Sequence, residues 1–441
     1  MRSRPKMKIV MIGAGYVGLV SGACFSEFGF DVTCVDKDET KIAKLHKGDI
    51  PIYEPGLDEL VTRNYAAGRL SFTTDLGSAV AQADAVFIAV GTPTRRGDGH
   101  ADLSYVHAAA AEIAAHLDGY TVIVTKSTVP VGTGQQVSDI VHKTRPDADF
   151  DVASNPEFLR EGSAISDFMR PDRVVVGTSN ERAIDVMRQL YRPLFLIETP
   201  ILFTSLETAE LTKYAANAFL AVKISYINQI ADLCEKVNAD VHDVAKGMGL
   251  DKRIGGKFLH PGPGYGGSCF PKDTLALVKT AEFFESDVPL VSGVVRYNSK
   301  RKQDMAQRVI DAMKGDVEGK KIAILGLAFK PETDDMRESP SIELITELTK
   351  KGAVITAYDP AAMVEAKPHL PASITYAENA ASCLTGADCA VLVTEWNEFR
   401  ALTPLSFTEL MAGNVLVDLR NVYDPSAIRA ANIHYSSIGR A

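Results

Sequence analysis

The stretch from Lys8 to Asp36, KIVMIGAGYVGLVSGACFSEFGFDVTCVD, constrains the fold more than any other part of the chain. A short apolar run, Lys8 to Ile12, leads directly into G-A-G-Y-V-G. The next apolar residues recur at helical spacing, and a second apolar run, Val32 to Val35, ends on Asp36. This reads as strand, glycine turn, helix and strand, the opening of a doubly wound α/β sheet. In such a turn Gly13 permits the tight reversal and Gly15 lets backbone amides approach a pyrophosphate. Gly18 allows the helix to pack closely on the strand, and the helix N-terminus supplies a favourable dipole. Asp36, 18 residues beyond Gly18, is suited to accept from a ribose 2′-OH and to repel a 2′-phosphate. The pattern therefore predicts NAD rather than NADP, with Lys37 the one adjacent basic residue.

Further strand-like runs follow: AVFIAV (85–90), TVIVTKST (121–128), FDVAS (150–154) and RVVVG (173–177). Their alternation with helical stretches such as SYVHAAAAEIAAHL indicates a parallel sheet. From Ser205 to Asp240 there is no Pro or Gly, and apolar residues recur at three and four. That predicts one helix of roughly 30 residues, long enough to span between domains or to form a dimer seam. Near Lys320 the alternation returns, with Gly326 in the place of Gly13 and Asp359 in the place of Asp36. Ala328 stands where Gly15 would be and Pro331 where Gly18 would be, so this second copy is not expected to seat a dinucleotide. The expected architecture is α/β: two Rossmann-like doubly wound domains joined by a long central helix and a small helical dimerisation region. Its expected boundaries are 1–204, 205–314 and 315–441.

A net charge of −9 leaves no basic surplus for a general nucleic-acid or anionic-membrane binder. The six cysteines, at 24, 34, 234, 269, 383 and 389, form no CxxC, and the nine histidines form no HxxxH, so no metal site is expected. Cys24, Cys34 and Cys389 lie in apolar surroundings and read as buried free thiols. MRSRPK lacks the apolar stretch of a signal peptide, and no apolar run reaches the ~18 residues of a membrane span. Cytoplasmic residence is the expectation.

One cysteine breaks the buried pattern. Cys269 sits in HPGPGYGGSCFPKD, among glycines and prolines with Lys272 and Asp273 beside it. A free thiol is only a few per cent thiolate at pH 7, and a neighbouring ammonium or backbone amides raise that fraction. Lys213, Lys272 or the GYGGS amides could supply the effect here, and Asp273 offers a carboxylate to order water or to receive a proton. Lys213 and Asn217 lie four apart on one face of the long helix. That spacing suits both an ordinary exposed pair and the Lys-x-x-x-Asn of two-electron hydroxy-acid dehydrogenases.

Taken together, GAGYVGL, PIYEPGL, VGTPT, STVPVGT, NPEFLREGSAISD, PDRVVVG, KYAANAFLAVKISYINQ, PGPGYGGSCFPKD, GLAFKPETDDMRESPS and DLRN resemble the nucleotide-sugar dehydrogenases over essentially the whole chain. The resemblance implies four-electron oxidation of the C6 alcohol of UDP-glucose to a carboxylate, with two NAD⁺ reduced. It implies Cys269 as nucleophile, Lys213 and Asn217 at the developing oxyanion, Asp273 in proton transfer, Glu157 as acid/base for thioester hydrolysis and Thr128 holding a water. For NAD it points to Gly13, Gly15, Tyr16, Val17, Gly18, Asp36, Lys41, Thr92, Thr128, Glu161 and Arg337. For the UDP-sugar it points to Glu157, Phe158, Leu159, Glu161, Lys213, Asn217, Tyr265, Gly266, Phe329, Lys330 and Arg420. Arg253 is implied to enter the partner's sugar site, which makes a homodimer the smallest complete unit. Members acting on UDP-N-acetylhexosamines usually carry histidine where this chain has Ser268. GDP-mannose remains the alternative sugar, and simple two-electron oxidation or a non-enzymatic NAD-sensing module the alternative activities.

Overall fold

The computed structural model describes residues 6–95 and 99–440. They divide into two compact units, the first running to Ala216 and taking in Glu282–Phe284, the second comprising Asn217–Ala281 and the chain from Glu285. The first unit is built on β1 (Lys8–Ile12), β2 (Asp31–Val35), β3 (Leu70–Thr73), β4 (Ala85–Ile88), β5 (Thr121–Thr125), β6 (Phe150–Ser154), β7 (Val174–Gly177) and β8 (Ile201–Thr204). They form one sheet in the order β3-β2-β1-β4-β5-β6-β7-β8. β1 to β6 are parallel throughout. β7 joins β6 antiparallel through Ser154 and Gly177, and β8 runs parallel to β7. The parallel expectation thus fails at the β6–β7 pair, and β8 keeps the direction of β7. Their link to β6 carries only the short helix Ala164–Met169, and an antiparallel neighbour needs no crossover.

Both faces of this sheet are covered, which is why its strands read as unbroken apolar runs. Ile9 and Met11 pack with Phe25, Phe87 and Val124 on one side, while Val10 and Ile12 pack with Val86, Ile88 and Ile113 on the other. The uninterrupted stretch after Ser205 is one helix, Leu206–Val237, of 32 residues. Among the described residues no helix is long and apolar enough to cross a membrane.

The second unit's sheet comprises β9 (Lys321–Leu325), β10 (Val354–Tyr358), β11 (Thr375–Tyr376), β12 (Cys389–Leu392), β13 (Val415–Asp418) and β14 (His434–Ser437). Its order, β11-β10-β9-β12-β13-β14, repeats that of β3-β2-β1-β4-β5-β6, and every pair is parallel. The sequence echo extends to individual hydrogen bonds. Gly13 N donates to Val35 O at 2.7 Å, and Gly326 N donates to Tyr358 O at 2.8 Å. Ala14 N donates to Asp36 at 2.9 Å, and Leu327 N donates to Asp359 at 2.7 Å.

The two acids then part ways. Asp359 is buried and also accepts from Ala328 N at 3.0 Å, Ala361 N and Ala362 N at 2.9 Å, and the Trp396 indole at 3.1 Å. With five protein donors its oxygens are saturated, so a ribose has no acceptor there. Replacing Asp359 by Ala strands those donors in the interior, and urea unfolding should report a loss of about 3–5 kcal/mol. A change within 1 kcal/mol, roughly the scale of a surface substitution, would contradict this account of the repeat.

Candidate active site

In the first unit the three glycines of the turn have three separate reasons to be glycine. A Cβ at Gly13 (φ +100°) would lie 2.7 Å from Ala89 O, and one at Gly18 would lie 1.8 Å from Gly13 O. A Cβ at Gly15 would meet no protein atom within 4 Å, so that glycine keeps backbone amides open to a ligand. Asp36 accepts from Ala14 N, from Asp38 N at 3.1 Å and from Lys41 Nζ at 2.8 Å. Burial works against its charge, but these bonds, led by that of Lys41, hold its carboxyl below the usual range. Lys37 is turned to Glu112, at 2.8 Å. An ionised acid beside an open glycine turn fits the adenosine half of NAD.

Around this turn, the Thr92 hydroxyl donates to Thr128 O at 2.9 Å. The Tyr16 hydroxyl donates to the Glu54 carboxylate, which also accepts from Gly162 N at 2.6 Å and Ala164 N at 2.8 Å. Through Tyr16, Glu54 thereby joins the glycine turn to the loop that bears Glu157 and Glu161, while Val17 packs on the core. Glu54 lies in PIYEPGL, and no chemical role was legible there.

Glu157 is buried beyond the end of β6, 3.2 Å from Lys213 Nζ, and accepts from Leu159 N at 2.5 Å. The Phe158 ring lies 3.6 Å from the Arg173 guanidinium and 5.2 Å from Lys213 Nζ, while Leu159 packs on the core. Sequence reasoning missed Lys126. It is buried at the end of β5, with its Nζ 3.0 Å from Asn155 Oδ1 and 3.4 Å from the Tyr191 hydroxyl. Burial above all, with Lys213 adding and Glu157 opposing, lowers its pKa to about 8. The signal available was a lysine closing an otherwise apolar strand, TVIVTK.

The second unit holds the thiol. Five of the six cysteines are buried and Cys269 is half-exposed; burial pushes Cys24, Cys34 and Cys383 up to about 12. Cys269 precedes the helix Phe270–Phe283, and its carbonyl accepts Asp273 N at 2.8 Å. A helix N-terminus favours a thiolate. Buried Asp273 accepts from Asn217 Nδ2 at 2.6 Å and from Lys272 Nζ at 2.7 Å.

The loop leading to Cys269 is clamped by side chains the sequence reading passed over. Asn298 accepts from Tyr265 N at 2.9 Å and donates to Tyr265 O at 3.0 Å. Asn228 accepts from Gly262 N at 2.8 Å, and Arg301 donates to Gly262 O at 2.7 Å. Buried polar residues on helix faces gave no sequence signal of their own. The glycines here make room for protein: a Cβ at Gly266 would lie 2.3 Å from Glu338 O, and one at Gly267 2.6 Å from the Phe329 ring.

Arg420 donates to Phe329 O at 2.9 Å and Val393 O at 2.7 Å, and Lys330 Nζ sits 5.4 Å from the Phe329 ring. The exposed guanidiniums of Arg337 and Arg253 are forked onto Asp335 and Asp251, with shortest contacts of 2.8 Å and 2.6 Å. Each unit thus gathers its own set: Gly13–Gly18, Asp36, Lys41, Thr92, Thr128, Glu157 and Lys213 in one, Asn217, Cys269, Asp273, Tyr265, Phe329 and Arg420 in the other. Arg253 is engaged with Asp251 on an exposed turn.

Lys126 makes a testable signature. Between pH 8 and 10.5 the unfolded chain binds more protons at this residue than the folded one, so stability should rise with pH across that window. Comparing urea unfolding at both ends, the wild type should gain roughly 2–4 kcal/mol relative to Lys126→Met. Parallel profiles for the two proteins would contradict it.

Comparison with known proteins is consistent across the chain. Residues 7–195 match the NAD binding domain of the UDP-glucose/GDP-mannose dehydrogenase family, residues 207–300 its central domain and residues 323–425 its UDP binding domain. A UDP-glucose 6-dehydrogenase of Rhizobium meliloti (strain 1021) is 60% identical over 98% of this chain and 100% of its own length. The UDP-glucose 6-dehydrogenase TuaD of Bacillus subtilis (strain 168) is 48% identical over 98% of this chain and 93% of its own. The solved UDP-glucose dehydrogenase from the archaeon Pyrobaculum islandicum superposes with a TM-score of 0.91 at 39% identity, covering 100% of this chain and 99% of that one. The chain belongs to the UDP-glucose/GDP-mannose dehydrogenase family.

Proposed function

We propose that this protein oxidises the C6 alcohol of UDP-glucose to the carboxylate of UDP-glucuronate, reducing two NAD⁺ per sugar. The observation that carries the reading is Cys269: the one half-exposed thiol of six, at a helix start, one turn before a buried Asn217–Asp273 pair. A two-electron alcohol dehydrogenase has no use for such a group. Bound NAD supplies the hydride acceptor for each oxidation, held by Gly13, Gly15, Tyr16, Val17, Gly18, Asp36, Lys41, Thr92, Thr128, Glu161 and Arg337.

The remaining work belongs to side chains. Lys213 and Asn217 stabilise negative charge on the sugar oxygen as the alcohol passes its proton to the water held by Asp273, and loss of the C6 hydride leaves the aldehyde. The Cys269 thiolate adds to the aldehyde carbon, and the carbonyl oxygen takes a proton, giving a thiohemiacetal. Loss of hydride and of that hydroxyl proton leaves a thioester, and covalent capture keeps the aldehyde from escaping. Water held by Thr128 and Asp273 then attacks as Glu157 takes its proton. The carbon–sulfur bond breaks, the sulfur leaves as thiolate, and the acid is released. The buried ion pair of Glu157 with Lys213 supports this role, because it fixes the carboxylate beside the lysine assigned to the sugar oxygen.

Phe158, Leu159, Tyr265, Gly266, Phe329, Lys330 and Arg420 are assigned to the UDP-sugar, and Arg253 to the sugar site of a second protomer. A homodimer is part of the proposal, supported by exposed Phe219, Tyr226 and Leu233 at seven-residue intervals along the long helix. So is the division into an NAD domain (1–204), a helical region (205–314) and a UDP-sugar domain (315–441). Five buried cysteines outside any disulfide suit a reducing cytoplasm.

Counting NADH against sugar consumed tests the reading, with GDP-mannose and UDP-N-acetylhexosamines run alongside. About two NADH per UDP-glucose are expected, and Cys269→Ser should lower acid formation by about 10³-fold or more. A ratio near one with aldehyde accumulating, turnover that survives Cys269→Ser, or preference for another sugar would overturn it.

A further inference from the structure

The helix Thr133–Thr144 begins directly after the STVPVGT loop, and its cap residue, Gly132 (φ +93°), has no side chain to cap it. The first-turn amides are met from far along the chain instead. Gly132 N donates to Glu210 Oε2 and Gly134 N to Glu210 Oε1, each at 2.7 Å. Glu210 is 2% exposed and lies on the long helix one turn before Lys213. Gly134 is fitted to it: a Cβ there would sit 3.1 Å from Glu210 Oε1 and 3.0 Å from Leu206 Cδ2. The other end of the loop is pinned by the Thr92 hydroxyl on Thr128 O at 2.9 Å, and its middle by the Thr133 hydroxyl on Pro130 O at 2.6 Å.

We propose that Glu210 is a positioning residue: its carboxylate caps the helix Thr133–Thr144 from the segment that carries Lys213, and so fixes the Thr128 loop relative to that lysine. The inference rests on the reaction proposed above, in which Thr128 holds the attacking water and Lys213 meets the sugar oxygen. Only a carboxylate offers both amides an acceptor oxygen, since a glutamine turns an NH₂ towards one of them. The cap also lies at the positive end of the helix dipole, where an anion is favoured.

The test compares the full-length wild type, Glu210→Gln and Gly134→Ala at pH 8, above the value of about 7 to which burial pushes Glu210. Hydrogen exchange on the peptide holding Gly132 and Gly134 reads the cap directly. Steady-state kinetics with UDP-glucose and NAD reads its consequence. Glu210→Gln should speed exchange at these amides about tenfold or more and lower kcat about tenfold, with KM for UDP-glucose unchanged within about threefold because Tyr265, Phe329 and Arg420 lie outside the capped loop. Gly134→Ala, which crowds the same carboxylate without removing it, should move both readouts the same way and serves if the glutamine variant folds poorly. Unchanged exchange overturns the proposal, and so does faster exchange with kcat unaltered, which would make the cap merely structural. Should the wild type reduce no NAD with UDP-glucose, the functional reading fails and the positioning role falls with it, while the exchange data decide separately whether the cap exists.

Discussion

The chemistry proposed for the sugar oxygen depends on charges kept out of water in the first unit. Glu157 and Lys213 are paired and buried, and Lys126 lies buried close enough to feel both. Charged groups of both signs are thus held where solvent screens them little. Buried charge is costly in a resting protein, and the amines favour negative charge that develops beside them, as proposed for a sugar oxygen losing its proton. The polar scaffold of Asn155 and Tyr191 beneath Lys126, with contacts of 3.0 Å and 3.4 Å, holds that amine in place.

Buried glutamates provide a second recurring device. The helices Thr133–Thr144 and Ala164–Met169 both start without a side-chain cap of their own. Glu210 and Glu54 supply the missing acceptors across 76 to 110 residues of sequence. In each case the capped helix follows a loop bearing a residue assigned to the chemistry, Thr128 in one and Glu157 in the other. Loops carry functional groups well only when a rigid framework fixes their ends.

Much of this was legible in the sequence because it rests on local rules. Gly13, Gly15 and Gly18 declared themselves by spacing, and Asp36 by its place at the end of β2. The long helix followed from a run without Pro or Gly, and the half-exposed Cys269 from its setting among glycines. The repeat at Gly326 and Asp359 was visible as a pattern, yet only the five donors around Asp359 reveal how the second copy closed its ribose acceptor. The antiparallel turn to β7, the Asn298 and Asn228 clamps and the Glu54 and Glu210 caps were not legible. Each joins residues far apart in sequence, and buried polar side chains carry no periodic signature of their partners. Lys126 sits between these cases: its strand was evident, but the depression of its amine depends on what folds around it.

The most direct measurement is the mass of the acyl-enzyme. A Glu157→Gln variant incubated with UDP-glucose and NAD⁺ should stall before hydrolysis and accumulate a UDP-glucuronyl thioester. Intact-mass and peptide analysis should place that adduct on Cys269. Sugar oxidised to the acid with no adduct, or an adduct on any other side chain, would contradict the account.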